Sequence, residues 1–167
     1  MQNSERILTV VHHSSLDQDH PLVLFLSGPN LSQLGIRQPE IYGRLTLNDH
    51  IEIAKERAKE FGIDIAEKHY EDEGALVEAI HHARVAVAAI VINAGALTHY
   101  SWALADALKA FPGPVVELHI TNPAAREPWR HKSVIAGVAD GVIAGFGVFG
   151  YSLAVDAVVH LLEEVGK

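Results

Sequence analysis

Read for its alternation of apolar and polar positions, the chain separates into short continuous apolar runs and longer stretches with helical spacing. Pro21 to Leu26 is apolar at every position, which suits a central parallel strand buried on both faces. Thr46 can cap a helix from Leu47 to Phe61, in which Ile51, Ala54, Ala58 and Phe61 recur at helical spacing before Gly62 stops it. Ile63 to Lys68 reads as a second strand, Gly74 to Arg84 as a helix with Leu76, Val77 and Ile80 on one face, and Ala86 to Ile92 as a third strand. A helix from Ser101 to Ala110 offers Trp102, Leu104, Ala105 and Leu108 for burial, and Pro112-Gly113-Pro114 breaks it. Val115 to His119 is the fourth strand, followed by a polar, irregular segment from Thr121 to Ser133. Val142 to Ala144 is a short fifth strand that leads through glycines into a last helix from Tyr151 to Glu164. This alternation predicts a three-layer α/β domain built on a mainly parallel sheet.

Composition narrows the partners. A length of 167 residues suits one domain, expected over 21–167, with 1–20 read as an N-terminal extension whose apolar piece, Ile7 to Val11, could add an edge strand. A formal net charge of -8 argues against nucleic acid, which needs a basic stripe, but leaves room for a small anion held by a few local arginines. The chain has no cysteine, hence no disulfide framework and no thiolate nucleophile, which fits a cytoplasmic protein. No apolar run is long enough to cross a bilayer, so no membrane partner is expected. The 11 histidines include two adjacent pairs, His12-His13 and His81-His82, without a third ligand at recognisable spacing, so no metal is expected.

Candidate chemistry gathers after the strands. Residues 26–43 form a long connection from the first strand to the first helix, with Arg37 and Tyr42 between glycines, and long loops in compact domains are commonly lids or binding loops. Asn30 also follows the first strand, Asn93 and His99 follow the third, and Glu117 to Arg130 closes the fourth. A parallel sheet delivers all of these to its carboxyl edge, where one cleft can collect them. Each also has a plainer reading: Asn93 as a turn residue, His119 as a hydrogen-bonded strand end, Arg126 and Arg130 as surface charge. The run Gly145-Phe146-Gly147-Val148-Phe149-Gly150 matches a dinucleotide-binding fingerprint, but no later strand supplies the acidic residue that such a unit carries. Close helix–sheet packing is the better account of these glycines.

Five segments taken together resemble the type II 3-dehydroquinate dehydratases: Gly28-Pro29-Asn30-Leu31, Arg37-x-Pro39-x-x-Tyr42-Gly43, Asn93 to His99, Glu117 to Asn122, and Ala125 to His131 with Ser133. The resemblance runs in order from about Leu22 to Val165. It implies a flavodoxin-like fold with strand order 2-1-3-4-5, trimers assembled into a dodecamer, and a cofactor-free trans elimination of water from 3-dehydroquinate in the shikimate or quinate pathway. A divergent, weakly active relative that binds a cyclic polyol acid, and a nucleotide-binding flavodoxin-like module, are the alternatives.

The resemblance also implies roles. Tyr42 would be the general base and Arg37 its activating neighbour. The need for a cation is general, because a phenol of pKa about 10 is ionised in only about one molecule in a thousand at pH 7. Asn30 would hold a water that stabilises the enolate. His119 would protonate the departing hydroxyl, oriented by Glu117 two positions earlier on the same strand face. Asn93, His99 and Arg130 would read hydroxyls, Ile120 and Thr121 would bind the carboxylate, Arg126 would help close the lid, and Asp106 would reach in from a neighbouring subunit. The chain departs from the family pattern at Ser27, Gln38, Glu71, Tyr100, Ala105, Val134 and Ala136. The substitutions at Ala105 and Tyr100 are expected to touch the subunit interface and the site wall.

Overall fold

The computed structural model describes residues 20–165. The expected extension, including Ile7 to Val11, lies outside the described residues. Five strands, β1 (Leu22–Ser27), β2 (Asp64–His69), β3 (Ala89–Asn93), β4 (Val115–His119) and β5 (Gly141–Ala144), form one sheet in the order β2-β1-β3-β4-β5, every neighbouring pair parallel. This is the flavodoxin-like order, and it reverses direction beside β1 and β3, where open α/β sheets bind ligands.

Period-two alternation divides the core. Val23, Phe25, Val91, Val116 and Leu118 face one layer, covered by α2 (Leu47–Lys59) and α5 (Phe149–Val165). Leu24, Leu26, Ile90, Ile92 and Val115 face the other, covered by α3 (Glu73–Ala83) and α4 (Trp102–Lys109). The helix starts follow their caps. Thr46 and Asp49 form a reciprocal capping box on α2, Asp72 accepts from the Ala75 N–H on α3, and Ser101 accepts from the Leu104 N–H on α4. A further short helix, α1 (Pro39–Tyr42), sits inside the long connection after β1.

Several expectations are corrected. β3 starts at Ala89 rather than Ala86, because the Ala86 and Val87 N–H groups still bond to the Ala83 carbonyl at the end of α3. α2 stops at Lys59, so Phe61 is 41% exposed with the Arg57 guanidinium over its ring instead of lying on the buried face. Trp102, expected in the core, is 63% exposed at the first position of α4 and faces Lys132. Of the terminal glycines Gly150 serves close helix–sheet packing, where a Cβ would lie 3.2 Å from Leu118 and 3.7 Å from Ile143, and a Cβ on Gly145 would lie 3.1 Å from Asn122. Gly145 and Gly147 are also needed for positive φ. Ala105 is buried within the chain's own core, while its neighbour Asp106 is exposed on the opposite face of α4.

Candidate active site

The carboxyl edge of β1, β3 and β4 opens into a cleft lined by Asn30, Arg37, Tyr42, Asn93, His99, His119, Ile120, Thr121, Arg126 and Arg130. All sequence-predicted site residues are therefore on its wall except two. Glu117 lies behind His119, fully buried, and Asp106 lies away from the cleft on α4. The three arginines give the cleft a local positive character in a chain whose net charge is -8, which favours an anionic small molecule.

The loops that build the wall approach at backbone distance. The Gly28 N–H bonds to the Asn93 carbonyl at 2.8 Å, and a Cβ on Gly28 would lie 2.6 Å from the Ala94 carbonyl oxygen, so no side chain fits there. Asn30 then takes a left-handed conformation, φ 68°, which is uncommon for a residue with a side chain. Glu71 holds it: the Asn30 N–H donates to one carboxylate oxygen at 2.7 Å and the Ser32 hydroxyl to the other at 2.8 Å. These donors, the Asn30 N–H foremost, keep Glu71 below the usual carboxylate range. His69 Nε2 lies 3.2 Å from the same carboxylate but not in hydrogen-bonding alignment.

Tyr42 ends α1, half-buried, with its hydroxyl accepting from Arg126 Nη1 at 2.9 Å and the guanidinium 5.4 Å from the ring centre. The cation seated on the phenol is therefore that of Arg126, which also reaches Thr121 Oγ1 at 3.4 Å. Arg37, expected in that place, lines the cleft from an exposed position and forms no described hydrogen bond to Tyr42. Tyr151 is a phenol of the core and not of the cleft wall. It is 1% exposed beside Phe25 and His50, and burial pushes its hydroxyl far above its ordinary pKa.

The remaining wall comes from β4 and the segment after it. His119 Nε2 is 2.9 Å from Glu117 Oε1, leaving the other ring nitrogen for a ligand. The Thr98 hydroxyl donates to Glu117 Oε1, and the Ser133 hydroxyl is 2.8 Å and 3.0 Å from the two carboxylate oxygens. Burial alone would raise the Glu117 carboxyl, yet the hydrogen bonds of His119, Thr98 and Ser133 and the charge of a protonated His119 hold it below its ordinary value. His99 Nδ1 donates to the Lys132 carbonyl at 2.7 Å and its ring meets the Trp129 ring edge-on at 5.2 Å. Arg130 stacks on Trp129 at 3.9 Å and pairs with Glu127 at 2.7 Å. Thr98 and Ser133 entered the sequence reading only as members of the segments around His99 and Arg130, with no role of their own, and the Arg126–Tyr42 contact was not expected. Among the described residues no group of three or more His, Cys, Asp or Glu could hold a metal ion.

The family profile of the class II dehydroquinases matches residues 21–159. The chain belongs to that family. Among curated members it is 52% identical over 139 residues to a 3-dehydroquinate dehydratase of Methylobacterium radiotolerans, covering 83% of this chain and 93% of that one. It is 49% identical over 138 residues to 3-dehydroquinate dehydratase 1 of Corynebacterium efficiens, covering 83% and 91%. Among solved structures, the type II dehydroquinase of Butyrivibrio crossotus superposes with a TM-score of 0.82 at 38% identity, covering 85% of this chain and 99% of that one. As a class II dehydroquinase the chain has its family match on the same span that carries the sheet and the cleft. No helix among the described residues is long and apolar enough to cross a membrane.

Proposed function

We infer that this protein is a 3-dehydroquinate dehydratase, a hydro-lyase that converts 3-dehydroquinate to 3-dehydroshikimate by trans elimination of water through an enolate. Family membership supports the substrate, and one observation carries the chemistry: a phenol with a guanidinium on its oxygen shares a cleft with a histidine paired to a buried carboxylate. A general base and a general acid on one cleft wall are what an elimination requires.

In this reading the Tyr42 phenolate takes the proton next to the ketone, and the electron pair of that C–H bond passes to the carbonyl oxygen as an enolate. Arg126 on the phenol oxygen, with Arg37 on the same wall, supplies positive charge beside this base. A water held by Asn30 stabilises the enolate oxygen, since preorganised dipoles act strongly in a dry site. Collapse of the enolate expels the hydroxyl, which takes a proton from His119 and leaves as water, while Glu117 balances the imidazolium charge. No cofactor enters the proton balance. Asn93, His99 and Arg130 read the hydroxyls, Ile120 and Thr121 bind the carboxylate, and Arg126 also closes over the substrate.

The catalytic domain spans 21–167, and the protein works in the cytoplasm as trimers assembled into a dodecamer. The exposed Asp106 suits a carboxylate that enters a neighbouring subunit's cleft. Purified protein supplied with 3-dehydroquinate should develop the absorbance of the conjugated enone product; no absorbance change from an oligomeric, folded sample would remove the assignment. Mixed Tyr42→Phe and Asp106→Ala subunits should regain activity that neither has alone, and verified hybrids without recovery would remove the shared site.

A further inference from the structure

The Glu117 carboxylate is fully buried, and its described side-chain partners are His119, Thr98 and Ser133, with no lysine or arginine among them. A buried anion is costly unless its oxygens are satisfied by donors. His119 satisfies one oxygen from one side, and the rest of the coordination comes from the two hydroxyls. Ser133 is aimed for this task. Its oxygen accepts from the Ile135 and Ala136 N–H groups at 3.1 and 2.9 Å, so its own proton is left for Glu117. Thr98 is 1% exposed, its carbonyl accepts from the Val134 N–H at 2.8 Å, and its hydroxyl lies 3.0 Å from that of Ser133. The two hydroxyls thus join the turn after β3 to the segment after Arg130 directly behind the proposed proton donor.

We propose that Thr98 and Ser133 are positioning residues for the proton donor: their hydroxyls hold the Glu117 carboxylate ionised and aimed at His119. They touch no substrate. With both donors present the proton between the pair stays on His119 Nε2, so the ring is cationic and the proton on its other, cleft-facing nitrogen is acidic enough for a leaving hydroxyl to take. Without them the proton between the pair moves to the carboxyl, and the neutral ring left behind is a far weaker acid although every cleft-facing side chain remains. The Glu117 carboxyl, held below its ordinary pKa, agrees with this coordination. The proposal rests on the dehydratase reading for its effect on rate, but not for its effect on His119.

The test compares Thr98→Val, Thr98→Ser, Ser133→Ala and the Thr98→Val/Ser133→Ala double variant. Thr98→Val and Ser133→Ala should each lower kcat about tenfold with KM changed by less than about twofold, the size expected for one hydrogen bond to a charged group. Thr98→Ser, which keeps the hydroxyl, should stay near wild type. Nitrogen NMR of His119, assigned by its loss in His119→Asn, should show a proton on the Glu117-facing nitrogen in the wild type and its displacement towards the carboxyl in the double variant under the same conditions. The other ionisable groups on the wall, Tyr42, His99, Arg37, Arg126 and Arg130, are unchanged in all of these proteins. Equal losses in Thr98→Ser and Thr98→Val would assign the effect to packing and overturn the proposal, as would unaltered His119 resonances. Should the double variant not fold, the single variants give the same decision. Absent dehydration in the wild type together with shifted His119 resonances would sink the dehydratase reading alone.

Discussion

The two sides of the cleft are built differently. The His119 side is the end of a central strand: β4 lies between β3 and β5, Ile92 pairs with Glu117, and the acid is locked by two hydroxyls from other segments. The Tyr42 side is a four-residue helix in an exposed connection, bounded by Gln38 at φ 44° and Gly43 at φ 82°. Little of that helix is buried, and Tyr42 is tied across the cleft by one hydrogen bond from Arg126. The proposed proton donor is therefore preorganised by the fold, whereas the proposed acceptor is organised by a single contact across the cleft. This is the division expected of a site that must both open and exclude water.

The largest effects should come from removing either end of the proton path. Tyr42→Phe and His119→Asn should each lower kcat by roughly 10²- to 10⁴-fold. The two should differ in melting temperature: Tyr42→Phe should stay near the wild type by calorimetry, since the ring stays and only the hydroxyl that accepts from Arg126 goes. A melting temperature that falls as far in Tyr42→Phe as in His119→Asn would erase the contrast between the two sides.

Glu117→Gln should come next, lowering kcat about 10- to 100-fold by removing the charge that balances the imidazolium. It should also change how stability depends on pH. Because the folded-state pKa of Glu117 lies below its ordinary value of 4.5, the unfolded chain binds that proton first as pH falls. The stabilisation is thus fully present above about pH 4.5 and is lost as pH drops through the folded value. Thermal melts should show a shallower acid decline in Glu117→Gln than in the wild type; parallel curves would mean that the buried carboxylate is not stabilised in the folded state.

Arg126→Ala should have a smaller effect, about tenfold on kcat/KM, through loss of one charge-assisted hydrogen bond on the Tyr42 hydroxyl. Arg37→Ala sharpens the comparison, since it is the other cation on the acceptor side; a larger loss there would mean that the two guanidinium groups exchange places when substrate binds. The smallest effect should come from Thr46→Ala, which removes the capping box of α2 just after the exposed connection. It should destabilise the fold by about 1 kcal/mol in urea titrations and leave kcat unchanged.

Much of this arrangement was legible in the chain. The apolar run at Leu22–Leu26 marks a strand because central parallel strands are buried on both faces, and parallel strands carry their following loops to one edge. Thr46 and Gly62 bracketed the first long helix by capping chemistry alone. The illegible parts are contacts between segments. Nothing in the spacing of Thr98, Glu117 and Ser133 signals that two hydroxyls converge on one carboxylate, because neither pair shares a periodic element. Likewise Arg126 and Tyr42 are 84 residues apart, and only the folded chain brings that guanidinium rather than Arg37 to the phenol. Glu71 stood out only as a departure from the family, and its hold on the Asn30 backbone depends on β1 lying beside β2. Trp102 was misjudged because its position at the head of α4 allows its ring to lie outward over Lys132, which periodicity cannot register.

The stack of Trp129 between Arg130 and His99 makes the protein its own optical reporter. An indole in contact with a guanidinium at 3.9 Å and an imidazole at 5.2 Å emits in a way set by those two neighbours, both of which face the cleft. The chain has only one other tryptophan, Trp102, exposed over Lys132, which supplies a separable background. In Trp102→Phe protein the emission of a single side chain would track occupancy of the cleft in real time, without label or coupled assay.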